Sequence, residues 1–227
     1  MKHSVLCLLL LPALIFPGGC ARHDDSYFPL GDHSWQEYTI ERTAGDKKLV
    51  QRYIVANMPA IVSDDAVVYP RKIAGGVVEY YRITDWGIVL QHAKIQAESL
   101  IIPLPTEPGS RWQQKTRIQF VDIPKLNRPD IWNTVAPVNL QYSINQEKET
   151  VRVPAGIFEN CIHVTATGLL EVDDNIKTFV GVRQIQVTQS EWYAPGVGLV
   201  KRVREELTSP ALIRGSYTQE LRSFRKG

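Results

Sequence analysis

The sequence predicts a mainly β fold built of antiparallel strands, with little helix. Three observations carry this. Apolar and polar residues alternate with period two in several segments, clusters of turn-forming residues separate those segments, and a helical period is scarce. In "VNLQYSIN", Val138, Leu140, Tyr142 and Ile144 alternate with Asn139, Gln141, Ser143 and Asn145 without a break. Successive side chains of a strand point to opposite faces, so such a run has one buried and one wet face.

The elements follow in chain order. Lys2 and His3 precede the apolar run Val5–Phe16, which is shorter than the about 20 residues of a membrane helix and suits the core of an export signal. Gly18 and Gly19 then lead into Cys20, the pattern of a bacterial lipobox, although Pro17 stands where that box usually carries a leucine-like residue. The expected division is a signal peptide over 1–19, a lipidated (palmitate-bearing) Cys20 with a polar tether to residue 26, and one β domain over 27–227. An ordinary secreted chain cut near Ala21 is the alternative. In the domain, "EYTIER" places Tyr38 and Ile40 on one face, "RIQFVDI" does so for Ile118 and Phe120, and "RQIQVTQ" for Ile185 and Val187. Turn clusters stand at 44–48, 74–76, 145–149 and 172–175. His92–Ser99 is the best candidate for a short helix. "YFPLGDHSW" and "IIPLPTEPGSRW" echo each other, each ending in Trp (Trp35, Trp112) before an alternating strand. The echo suggests two meanders with a junction near 102–110.

"EWYAPGVGLVKRV", Glu191 to Val203, has the look of a glycine-rich ligand loop. A phosphate-cradling loop leads into a helix. Here Leu199, Lys201, Val203, Glu205 and Leu207 alternate with Val200, Arg202 and Arg204, so Pro195–Gly198 is expected to be a turn between strands, its glycines allowing positive φ.

Chemistry-bearing motifs are thin. The formal net charge is +2 with no basic stripe, so nucleic acid is not an expected partner. No nucleophile elbow, zinc-protease pair, phosphate loop or C-x-x-C occurs; no catalytic residue, metal or cofactor is expected. Once Cys7 leaves with the signal and Cys20 is acylated, Cys161 stands alone and no disulfide forms within the chain. Cys161 and His163 share a strand face and could meet, but a buried cysteine beside a strand histidine is the preferred reading. Trp35, Trp112, Trp192 and Tyr193 are the candidate ligand-binding aromatics, weighed against ordinary core packing.

"YFPLGDHSW", "VPAGIFENC" at 153–161 and "EWYAPGVGLVK" resemble, in that order, the TapB-like exported bacterial proteins, a group of domains of unknown function. The resemblance implies a curved antiparallel sheet like the half-open barrels of the LolA/LolB lipoprotein carriers, and no catalytic residues. The expected function is a non-enzymatic binding or assembly module of the cell envelope, its apolar concave face open to a lipid-like ligand or an envelope protein partner. The expected site is the periplasmic side of the outer membrane, anchored through Cys20, with a soluble periplasmic or secreted protein as the alternative. A hydrolase with an unfamiliar cleft and a purely structural envelope component are the competing functions.

Overall fold

The computed structural model describes residues 27–31, 33–44, 47–63, 66–73, 75–92, 97–116, 118, 137–172, 182–210 and 214–227. The signal, Cys20 and the tether lie outside the described residues, as does most of "RIQFVDI", of which only Ile118 is described and is buried. Within them the alternating segments become antiparallel strands. The first seven are β1 (Trp35–Ala44), β2 (Lys47–Asn57), β3 (Ile61–Val62), β4 (Val67–Ile73), β5 (Val78–Thr84), β6 (Gly87–His92) and β7 (Ala97–Pro103). The second seven are β8 (Arg111–Thr116), β9 (Val138–Ile144), β10 (Glu149–Val153), β11 (Gly156–Glu171), β12 (Gln184–Ala194), β13 (Gly198–Ser209) and β14 (Arg214–Arg225).

They belong to one sheet in the order β7-β6-β5-β4-β2-β1-β14-β13-β12-β11-β9-β8, with β3 paired to β4 and β10 to β11 off that path. Neighbours in sequence are thus neighbours in space, twice over. One meander runs from β1 to β7 and another from β8 to β14, and they fuse where β1 lies against β14, from Trp35↔Arg225 to Ala44↔Gly215. Residues 104–110, the stretch carrying the second half of the sequence echo, connect β7 to β8, the two ends of the sheet.

Twist brings those ends round toward each other, because an extended sheet of right-twisted strands coils. The core shows it. Ile88 and Ile102, from β6 and β7, are buried in the same cluster as Leu140, Val164, Ile185 and Val187, from β9, β11 and β12. One end of the sheet covers the other, so the molecule is a nearly closed antiparallel barrel. Each of these fully buried aliphatic side chains contributes about 1.5–3 kcal/mol.

A second cluster closes one end. Val151, Val153 and Cys161 pack there with Ala194, Val197, Val200 and Leu221. The β10–β11 hairpin reverses at Pro154-Ala155, whose Ala155 amide donates to the Leu221 carbonyl at 3.0 Å. Phe158 re-enters this cluster and rests against Phe224. The segment Tyr27–Leu30 tucks into the barrel beside it, and Phe28 packs against Tyr81 and Tyr193. The Asn57 amide holds this segment by donating to the carbonyls of Pro29 and Gly31.

The helix expected over His92–Ser99 does not form at its ends. His92 closes β6, Ala97 opens β7, and the two pair directly, so both ends of the segment are strand; residues 93–96 lie outside the described residues. Its apolar residues are too few to give a helix a buried stripe, and pairing with β6 satisfies the backbone instead.

Candidate functional site

The barrel encloses a cavity of about 470 Å³, and the phase of each strand decides what faces it. On β12, Ile185 and Val187 point inward, and the period of two carries Gln189, Glu191 and Tyr193 to the same side; all five are buried. The ladder to β13 sets Glu191 opposite Arg202, Gln189 opposite Arg204 and Val187 opposite Glu206. The β13 residues that face inward are therefore charged. Opposite them stand Tyr38, Ile40 and Arg42 of β1, Gln51 and Tyr53 of β2, Arg71 of β4, and Glu79 and Tyr81 of β5.

Hydrogen bonds tie the wall together. Glu191, 4% exposed, accepts at Oε1 from Arg202 Nε (2.6 Å) and Gln189 Nε2 (2.9 Å), and at Oε2 from the Tyr193 hydroxyl (2.6 Å). Glu206 accepts from Arg204 Nε (3.0 Å) and Nη2 (2.8 Å), while Arg204 Nη1 donates to Gln189 Oε1 (3.2 Å). Gln189 Nε2 lies 3.3 Å from the Tyr142 hydroxyl, and the Tyr217 hydroxyl donates to Gln219 Oε1 at 2.5 Å. Buried polar groups that satisfy one another in this way cost little, whereas an unpaired one costs heavily.

Arg202 is held as a cation. Burial works against the Arg202 cation, but Glu191 and the surrounding phenols outweigh it and keep it protonated well beyond its ordinary range. About a third of the Arg202 side chain (32%) meets the cavity. Arg71 is buried, with its guanidinium 4.4 Å from the Phe28 ring centre and 5.2 Å from that of Tyr81. Its Nε donates to Asn57 Oδ1 and its Nη2 to the Pro29 carbonyl. Burial pushes the lumen phenols upward, Tyr53 and Tyr142 to about 12, so at neutral pH they are hydroxyl groups that can donate and accept.

Of the aromatics singled out in the sequence, Tyr193 lines the cavity. Trp112 stacks on Tyr142 beside it (centroids 5.1 Å apart) with a buried Nε1 that has no hydrogen-bond partner among the described residues. Trp192 sits on the opposite face of β12 from Tyr193, and Trp35 begins β1 opposite Arg225. The four do not form one site. The expected apolar concave face is not what the cavity presents either, since its wall is dominated by arginine, glutamate, glutamine and tyrosine. On β13 the apolar-looking phase, Val203 and Leu207, faces outward, and the charged phase faces in. The signal for this lay in β12: continuing the phase of Ile185 and Val187 leads to Gln189 and Glu191. The register that sets arginines against them is not written in any one strand.

The outer face of β11 carries a second polar cluster. The His163 ring stacks on Trp192 (centroids 4.4 Å apart), and Glu149 bridges them, its Oε1 2.7 Å from His163 Nδ1 and its Oε2 accepting from Trp192 Nε1 at 2.7 Å. Asn145 Nδ2 also lies 2.9 Å from Nδ1. His163 Nε2 is buried with no hydrogen-bond partner among the described residues. Cys161 packs in the end cluster, and burial pushes its thiol up to about 11, with its Sγ 3.4 Å from the Phe158 carbonyl. Cys161 and His163 share no hydrogen bond among the described residues, and the thiol is not activated.

The "EWYAPGVGLVKRV" stretch is the β12–β13 turn. Ala194 pairs with Gly198, and Gly196 and Gly198 take φ of 65° and 94°. A Cβ at Gly198 would come within 3.2 Å of both Gln36 Nε2 and Pro29 Cδ, so the N-terminal segment needs a glycine there. Gln36 Nε2 donates to the Val197 carbonyl and the Tyr38 hydroxyl to that of Leu199. The turn thus forms part of the barrel's closed end.

No family model matches the chain, and no curated protein is similar to it at a significant level. Among solved structures, a Bacteroides fragilis protein provisionally described as exported and as having a YmcC-like fold shares 14% identity at a TM-score of 0.42, over 88% of this chain and 98% of its own. A Parabacteroides distasonis protein provisionally described as a lipoprotein shares 13% at a TM-score of 0.40, over the same proportions. At TM-scores below 0.5 neither likeness bears on the site.

Proposed function

We propose that this chain is an exported, lipid-anchored binding module of the cell envelope whose barrel lumen holds a small polar ligand. The observation that carries the reading is the cavity itself: about 470 Å³ enclosed by one sheet and lined by arginines, glutamates, glutamines and six tyrosines. Ligand sites are concave and combine a rigid wall with a few placed polar groups, and the barrel supplies both. The reading keeps the carrier-like frame that the sequence motifs resemble and changes the occupant. An acyl chain drawn into this lumen would strip water from Arg202, and from Arg42 at its rim, without returning hydrogen bonds, a cost of several kcal/mol.

The export signal and Cys20 support placement at the periplasmic side of the outer membrane. A non-enzymatic role is supported by the histidine–carboxylate pair on the outer face of β11: among the described residues His163 Nε2 is buried and faces no partner, so it is not presented to a substrate. Native mass spectrometry of the protein released gently from its own envelope tests the reading. The expected result is a small adduct on the native chain that is lost in Gln51→Trp, which fills the lumen. A protein empty in both forms overturns it. Mass analysis of the mature N-terminus tests the anchor separately: a start other than an acylated Cys20 removes it.

A further inference from the structure

We infer that the ligand of the lumen is an anion, held through a carboxylate or phosphate group by Arg71 and Arg202 with the Tyr53 hydroxyl. The inference rests on the reading of the lumen as a binding site and names the class of its occupant. The balance of spent and unspent groups on the wall points to it.

Among the described residues, the carboxylates in the lumen wall and just behind it already accept donors. Glu191 accepts three, Glu206 accepts two from Arg204, and Glu79 accepts the Tyr81 hydroxyl at 2.6 Å. The cations are not matched in the same way. Arg71 is 7% exposed, yet it forms no ion pair among the described residues; its hydrogen bonds go to an amide and a carbonyl. Glu79 stands directly across the ladder from Arg71 but is engaged by Tyr81 instead. Arg42 is exposed at the cavity's rim, its guanidinium 5.7 Å from the centre of the Tyr217 ring, and has no ion pair among the described residues. A buried guanidinium without a counter-charge is costly, and a ligand anion is the species that removes that cost.

Unspent donors lie in the same space. Arg202 gives its Nε to Glu191 and bonds the Tyr217 hydroxyl, and about a third of its side chain (32%) still meets the cavity. The Tyr53 hydroxyl, on the opposite wall, has no hydrogen-bond partner among the described residues, and Tyr53 lines the cavity beside Tyr38. Arg71, Arg202, Tyr38 and Tyr53 all line this one cavity. A cationic ligand would find no unengaged carboxylate there. An acidic group finds two guanidiniums and a free hydroxyl, the donors that suit carboxylate or phosphate oxygens.

Isothermal titration with citrate and with pyrophosphate tests the inference, against sorbitol and against sodium chloride at equal ionic strength. Either anion is expected to bind where sorbitol and chloride do not, and the preference between them separates carboxylate from phosphate recognition. Arg202→Gln is expected to weaken the bound anion about tenfold and Tyr53→Phe about fivefold. Tyr53→Phe removes a hydroxyl that supports nothing in the fold, so it remains informative if Arg202→Gln unfolds. Anion binding no stronger than that of chloride, together with an uncharged adduct in the native spectrum, overturns the anion class and leaves the lumen reading standing. No occupant of any kind overturns both.

Discussion

Glu191 organises the lumen from a single position. Its two oxygens take three donors, one of them the Arg202 cation, inside a barrel that leaves the residue 4% exposed. Removing one partner of a buried pair costs more than the pair itself is worth, because the other charge stays behind. Glu191→Ala is therefore expected to lose about 3 kcal/mol in urea unfolding. Glu191→Gln should lose less, and adding Arg202→Met to it should restore part of the loss; an unchanged midpoint in Glu191→Ala would show that cavity water already compensates Arg202. The tyrosines around it make a second test. Tyr53 and Tyr142 keep their protons to about pH 12 in the fold, against 10.0 for the ordinary phenol, chiefly through burial. The native state therefore binds more protons than the unfolded chain between these values. The stabilisation is complete below pH 10 and is lost as pH rises toward 12. The phenolate absorbance of these tyrosines is expected to rise together with loss of the β circular dichroism signal. Full phenolate formation near pH 10 in a protein that remains folded would contradict it.

Strands were the most legible elements, and their depth was less so. In β9 the alternating residues Val138, Leu140, Tyr142 and Ile144 are 1%, 0%, 8% and 3% exposed, as the period required. In β13 the same kind of alternation has its charged phase inside, because the ladder to β12 rather than hydrophobicity sets which side faces the lumen. A period gives two faces; only pairing says which one is enclosed. Close approach between strands is likewise invisible in one strand. Gly168 of β11 lies under the start of β9, where an added Cβ would stand 2.6 Å from the Asn139 carbonyl oxygen and 2.6 Å from Leu140 Cδ2. The carbonyl belongs to a strand already bonded to β8 and β11, so it cannot retreat cheaply. Gly168→Ala is expected to cost about 2 kcal/mol, as overpacking of a closed core does. Gly31→Ala, with open space at the added carbon, is the control expected to leave the melting temperature unchanged.

At the scale of the whole molecule, two meanders share one core and one cavity, and the route from one to the other runs through residues 104–110. Trp35 and Trp112 stand at the openings of β1 and β8, each after a turn, because a turn-then-tryptophan junction is local chemistry. The curved, half-open barrel was expected from the resemblance and not from any one period, because closure arises from the summed twist of a dozen strands. Closure is also incomplete: β7 and β8 approach each other, but no ladder joins them among the described residues. An edge strand bonds its neighbour with every second amide and leaves the others to solvent. β12, bonded on one side to β11 and on the other to β13, has no such free edge. Hydrogen exchange resolved by residue is therefore expected to alternate between slow and fast along Arg111–Thr116, and to be uniformly slow along Gln184–Ala194. Uniform protection along both would mean that β7 and β8 pair and the barrel is shut. Exposure of the lumen would then require local opening elsewhere, and ligand entry would have to pass the end opposite the cluster formed by Val151, Val153 and Leu221.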